Sequence, residues 1–483
     1  MTGDGAGQRN PLATALLRAQ RQGWRAPAPV RRLGRQLLHR AATDVPPVED
    51  WSTTIVGGAP LGAPPAPSAT GSAPASSSRP GRAPAGPRLR CFVATGVLDV
   101  GGEDEVVAFL GRRLPEHGLD TAVLHSGTSV GAPGSAGGRL SSDLRDEGVR
   151  VVEVTRSSAS RLIDELRPDV ISAHGAPDWW LELAADHGVP YVETLHGMHS
   201  FFDADWDQEA LRSPRISRII AVSELVRQQY LAGNGSIDPQ HVVTVPNSVD
   251  ERRLPRLDRD RCREWLSLDD EFLFVSLARH TLQKNTYALI KAFADVAAAH
   301  PEAHLLVAGR PDDASYAQQV QRLRNSLPCR DRIHLRDHAP WPAALLAAAD
   351  GFVLDSYFEG WSLASMEALA AGLPVVLSDV GGAREQVGAG GERGYLVPNP
   401  IGDPLQVDWS SIRASLYAAQ PNRKPLVAAM SAMIGERDAW RARREELRAE
   451  SAIRFHPDHA LSGHAAVLRS AAVESGRPSR LVA

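Results

Sequence analysis

Short apolar runs alternate with helical stretches along most of this chain, and the alternation begins twice. The first series opens with "LRCFVAT" at Leu89 and continues through "DTAVLHSG", "GVRVVEVT", "DVISAHG", "PYVETLHG", "ISRIIAVS" and "HVVTVPN". Helical patterns such as "EDEVVAFLGRRLPEHG" and "SASRLIDELRP" lie between them. After "VPNSVD" the series restarts with "EFLFVSLA", "AHLLVAG", "IHLRD" and "GFVLDS". Parallel strands covered by helices on both faces read as continuous apolar runs. The pattern predicts two doubly wound, Rossmann-like α/β domains, residues 89–247 and 248–403, followed by helices over 404–483. Ligands of such sheets bind beyond the carboxyl ends of the strands, so two facing domains make a cleft.

Residues 1–88 differ. Residues 1–42 carry eight Arg and one Asp. Within them "PVRRLGRQLLHRAA" can form a basic amphipathic helix of the kind that lies on a membrane surface. From Gly57 to Pro87 the chain is Pro, Ala, Gly and Ser with little apolar content, the composition of a linker. The expectation is a mostly disordered tail that adds nothing to a core, with peripheral membrane contact as the alternative. A net charge of -4 argues against nucleic acid as a partner. Three cysteines, far apart, make neither a metal site nor a disulfide framework and suit a reducing cytoplasm. No apolar run is long enough to span a bilayer.

Five groups of residues can carry chemistry. In "GFVLDSYFEGWSLASMEALAAG", Glu359 follows a strand and Glu367 lies inside the next helix. Ser362 is a plausible N-cap, and Gly360, Trp361, Ser362 and Leu363 would offer backbone N–H groups to a hydroxyl or an anion. A carboxylate at Glu367 suits a ribose diol, and its apolar neighbours argue against a solvated face. In "SLARHTLQKN", Arg279 and Lys284 at a strand end can neutralise a diphosphate, although solvated loop charges explain them equally well. Lys284 is one of only three lysines. In "LDVGGEDE", Gly101 and Gly102 let the backbone approach a ligand, or simply open a helix. His174 in "ISAHG" and His196 in "ETLHG" end successive strands, where structural and functional roles weigh evenly. Asp203, Asp205 and Asp207 alternate in a loop; a metal site there is the weaker reading, and no metal is expected.

Taken together, these stretches resemble the signature of family 4 retaining glycosyltransferases, which have the GT-B fold. The family's E-x7-E motif matches Glu359 and Glu367. Its diphosphate-holding Arg and Lys match Arg279 and Lys284, and its double-glycine loop matches Gly101 and Gly102. His174 falls where the family keeps a histidine near the reacting sugar, and His196 is assigned to the acceptor side. Two departures stand out: "EGWSLAS" replaces the usual "EGFGLP", and "HLRDH" lacks the glycine usual after its strand. The resemblance implies an enzyme that moves a sugar from a nucleotide-sugar donor to a glycan or glycolipid acceptor of the cell-envelope type, with retention and without a cofactor; the Arg- and Ala-rich composition adds a bacterial source and the cysteines a cytoplasmic location. The alternatives are a nucleotide-sugar epimerase on the same architecture and a non-catalytic nucleotide-sugar-binding protein.

Overall fold

The computed structural model describes residues 48–66, 88–99, 101–127, 138–250 and 254–474. The expected basic helix and most of the linker lie outside the described residues. The first sheet is parallel and contains β1 (Leu89–Thr95), β2 (Leu119–His125), β3 (Val151–Glu153), β4 (Val170–His174), β5 (Tyr191–Leu195), β6 (Arg218–Ala221) and β7 (Val242–Thr244). Its order is β3-β2-β1-β4-β5-β6-β7. The second sheet contains β8 (Phe272–Leu277), β9 (Ala303–Ala308), β10 (Ile333–Arg336), β11 (Gly351–Leu354), β12 (Val375–Ser378) and β13 (Gly394–Val397), in the order β10-β9-β8-β11-β12-β13. Each sheet reverses direction once, between β1 and β4 and between β8 and β11. Adjacent loops diverge at such a point and leave a crevice. Register brings the crevice-side residues level: Thr95 pairs with His174, and His174 with Thr194.

Every apolar run named above became a strand, most of them buried on both faces, as in the fully buried β9; the short edge strands β3 and β7 are only partly buried. Two strands fall outside those runs: β12, which is fully buried, and β13, whose burial is mixed. The helical end divides between the halves. The helix Arg423–Gly435 places Leu426, Met430 and Met433 in the core of the second sheet. The last helix, Pro457–Glu474, returns to the first sheet and buries Leu461, Leu468 and Ala471 there. The chain therefore passes between the halves twice. Ser248 Oγ donates to the Phe455 carbonyl at 2.7 Å, joining the two passages.

One expectation is corrected. Part of the segment read as a tail is packed. Val48 joins the core with Phe274 and Leu305, whereas Trp51 and Ile55 join the core on the opposite face with Val275 and Phe352. Residues 48–66 thus wrap the edge of the second sheet beside β10, with Thr53 and Pro60 bridged as a small hairpin. A sheet edge left open exposes unpaired backbone groups, and covering it is a common remedy. The composition of 1–88 as a whole concealed the local apolar pattern of "VEDWSTTIV".

Candidate active site

Glu359 and Glu367 are both nearly buried. Ser362 caps the helix Leu363–Ala370, its Oγ accepting from Ser365 N at 3.3 Å. The following Gly372, at φ +76, ends that helix as expected. Glu359 accepts from Lys284 Nζ at 2.5 Å and from Ser356 Oγ at 2.6 Å. Gln283 secures the loop, Nε2 donating to the Phe358 carbonyl at 3.0 Å. Below it, Asp355 accepts from Asn285 and Asn422, and burial raises its pKa to about 8, so it is mostly protonated at neutral pH.

The two halves meet at this loop. A side chain at Gly360 would place its Cβ 1.8 Å from the His196 carbonyl oxygen, so only glycine permits the approach. Leu363 faces Gly102, 3.9 Å from where a Cβ there would stand. Gly101 and Gly102 are exposed at the start of the helix Gly102–Arg113. Glu103 follows, its pKa raised by burial, with its carboxylate set against Gly175.

Two expectations need correcting, one for the cation pair and one for His174. Arg279 and Lys284 are not two free cations: Arg279 pairs with Asp312 at 3.0 Å, and Lys284 pairs with Glu359. A diphosphate would exchange with these carboxylates instead of meeting bare charge. Trp361 packs its ring into the core of the first half beside Phe455, and its indole N–H points to Met366 Sδ, so only its backbone can serve a ligand. His174 is 0% exposed and cannot touch a substrate. Its Nε2 lies 3.0 Å from Ser172 Oγ and its Nδ1 lies 2.8 Å from His196 Nε2. His196 is the half-buried member of the pair and the one beside Gly360.

His199 was overlooked in the sequence. Its ring stacks on Phe358, with centroids 6.0 Å apart. Burial lowers its pKa; the Glu103 and Glu359 carboxylates oppose that shift, and Arg279 adds to it. It is thus within electrostatic reach of both halves of the cleft. The available signal was its place three residues after His196 in "LHGMHS". The alternating aspartates do not converge. Asp203 takes a left-handed turn at φ +63, and Asp205 caps the helix Trp206–Arg212. Among the described residues no group of three His, Cys, Asp or Glu side chains is placed to hold a metal ion.

The buried histidines give a pH prediction. Burial is the main cause of the low pKa of His174, and of His196 and His464, both pushed down to about 3. They fold neutral, whereas the unfolded chain protonates them near pH 6.5. Stability present above that pH should be lost as pH falls, each group contributing about 1.4 kcal/mol per unit well below it. His464→Leu should therefore flatten the loss of stability between pH 7.5 and 5.5 in urea melts. An identical pH dependence in that variant would contradict a neutral His464.

Two facing parallel-sheet halves, with cations and a carboxylate loop at the second switch point, define the GT-B class of glycosyltransferase folds. The family model for glycosyl transferases group 1 matches residues 258–406, and that for glycosyltransferase family 4 matches residues 100–253. The chain belongs to the family 4 glycosyltransferases. It is 29% identical over 286 residues to a D-inositol 3-phosphate glycosyltransferase of Rhodococcus opacus, a match covering 54% of this chain and 63% of that protein. In fold it matches a glycosyltransferase from Rickettsia africae with a TM-score of 0.65 at 17% identity, covering 80% of this chain and 98% of that one. Anabaena HepE in complex with UDP matches with a TM-score of 0.63 at 18% identity, covering 79% and 100%. No helix among the described residues is long and apolar enough to cross a membrane.

Proposed function

We propose that this protein transfers a glycosyl group from a nucleotide-sugar donor to a glycan or glycolipid acceptor of the cell-envelope type, with retention of anomeric configuration. The observation that carries the reading is the Lys284–Glu359 pair at the β8/β11 switch point, against which His196 and Gly360 bring the first half. Arg279, Lys284 and the positive end of the helix Leu363–Ala370 would stabilise the departing diphosphate. The backbone after Glu359 would hold the donor sugar, and Glu367 the ribose. The acceptor would enter from the side of Gly101, Gly102 and His196. His174 would act through His196 and not on the sugar. The UDP complex of the Anabaena neighbour makes uracil the first base to try.

A thermal-shift screen of UDP-, GDP- and ADP-sugars tests the donor, because a ligand of the native state raises its melting temperature. Incubation with the stabilising donor, alone and with acceptors, then separates transfer from epimerisation; retention is read from the product's anomeric signal. No stabilising donor in the panel would count against the reading.

Two further outcomes are expected. Glu367→Ala should weaken donor binding by about 1–3 kcal/mol in calorimetry, the cost of lost charged hydrogen bonds. Unchanged affinity in a folded variant would remove the ribose role. Transfer should also survive EDTA, because Arg279 and Lys284, on exchanging their carboxylate partners for the diphosphate, would supply its counter-charge together with the helix terminus. Complete loss restored by magnesium or manganese would assign that charge to a metal instead.

A further inference from the structure

We propose that residues 49–62, which neither family model covers, form a clasp that positions the nucleoside side of the donor site, with Trp51 and Arg336 as positioning residues. The proposal rests on the donor reading above. Arg279, Lys284, Glu359 and Glu367 would occupy the diphosphate, sugar and ribose positions around β8 and β11. On the β12 side the loops are tied together: Gly382 N donates to the Gly360 carbonyl at 2.9 Å, and Trp361 lies against Gly382. The base is left the carboxyl ends of β9 and β10. The loop after β10, residues 337–341, borders that flank, and it is the loop that departs from the family pattern.

The clasp holds this loop directly. Trp51 Nε1–H donates to the His338 carbonyl at 2.7 Å, and its ring lies 6.2 Å from that of Trp341, edge to face. The Arg336 guanidinium sits 5.6 Å from the Trp51 ring centre and donates to Glu49 at 3.0 Å and to the Thr53 carbonyl at 3.4 Å. Glu49 also pairs with Arg324 at 3.0 Å. Trp265 Nε1 donates to the Gly62 carbonyl at 2.8 Å and secures the far end.

The same arginine reaches the cation loop through its backbone. The Arg336 carbonyl accepts from His280 Nε2–H at 2.8 Å and from Gly309 N at 3.1 Å. His280 is the neighbour of Arg279. A Cβ on Gly309 would stand 2.0 Å from the Ala278 carbonyl oxygen, so the ends of β8 and β9 are in close contact. Close-packed groups of this kind pass a displacement on instead of absorbing it. Loosening Trp51 or Glu49 therefore moves the base-side loop most, because Trp51 holds it directly; the diphosphate loop lies one step further, through the Arg336 backbone, and moves far less.

The test uses the full chain and calorimetry with UDP, GDP, ADP and inorganic diphosphate, alongside melting curves without ligand. Wild type should bind one nucleoside diphosphate preferentially. Trp51→Ala should weaken that binding on the order of tenfold, the scale of one well-made contact, and leave inorganic diphosphate affected far less. Trp51→Phe, which keeps a ring and loses the N–H, should fall between. If Trp51→Ala is unfolded at the assay temperature, Glu49→Gln on a half-exposed side chain takes its place. Unchanged nucleotide affinity, or equal weakening of nucleotide and inorganic diphosphate, would overturn the clasp and leave the donor reading standing. A wild-type chain that binds no nucleoside diphosphate would overturn both.

Discussion

Lys284→Ala should lower the rate of transfer on the order of 10²–10³-fold, the usual cost of removing one group that stabilises transition-state charge. Lys284 is largely buried and touches Glu359, so its loss acts twice. The leaving diphosphate loses a cation held in a fixed place. Glu359, itself nearly buried, loses its ammonium partner, and an uncompensated buried charge is costly. Arg279→Ala should cost less, because that side chain is 49% exposed and solvent screens it. Steady-state rates at saturating donor, with circular dichroism to confirm folding, give the comparison. A Lys284→Ala enzyme within about threefold of wild type would contradict the assignment, since general acid–base and charge-stabilising groups contribute far more.

A chain that starts at residue 88 should be several kcal/mol less stable than one that starts at residue 48. It loses Val48, Trp51 and Ile55, which are 3%, 8% and 6% exposed. Burying such side chains is worth about 1.5–3 kcal/mol each, as an upper estimate. It also leaves Arg336, 3% exposed, without Glu49. Most domains have only about 5–15 kcal/mol in total, so the second half should melt far earlier or fail to fold. Thermal melts of the two chains decide this. Equal melting temperatures would mean that the segment rests on the sheet without stabilising it.

The layered architecture was legible because strands buried on both faces leave a local signature, a short apolar run closed by a turn. The loop around Glu359 was legible for a related reason: a strand, a cap at Ser362 and a glycine at 372 fix its local geometry. What failed was anything that depends on partners distant in sequence. Arg279 and Lys284 look like free cations until Asp312 and Glu359 are brought beside them by other strands. His174 and His196 look equivalent, each at a strand end before glycine; which one is sealed inside depends on Ser172 and on His464, whose ring reaches to 6.1 Å of His174 from the returning last helix. Trp51 lies in a stretch whose overall composition hid it, and its burial depends on an edge strand almost three hundred residues away.

The double passage between the halves has a mechanical consequence. A single linker would act as a swivel, free to turn in any direction. Two passages joined where Ser248 meets Phe455 would behave instead as a leaf hinge. Both can bend together about one line, but twisting would require one to lengthen against its neighbour, and a folded backbone has little slack to give. A swing about that line would part Gly102 from Leu363, which face each other here, without sliding one past the other.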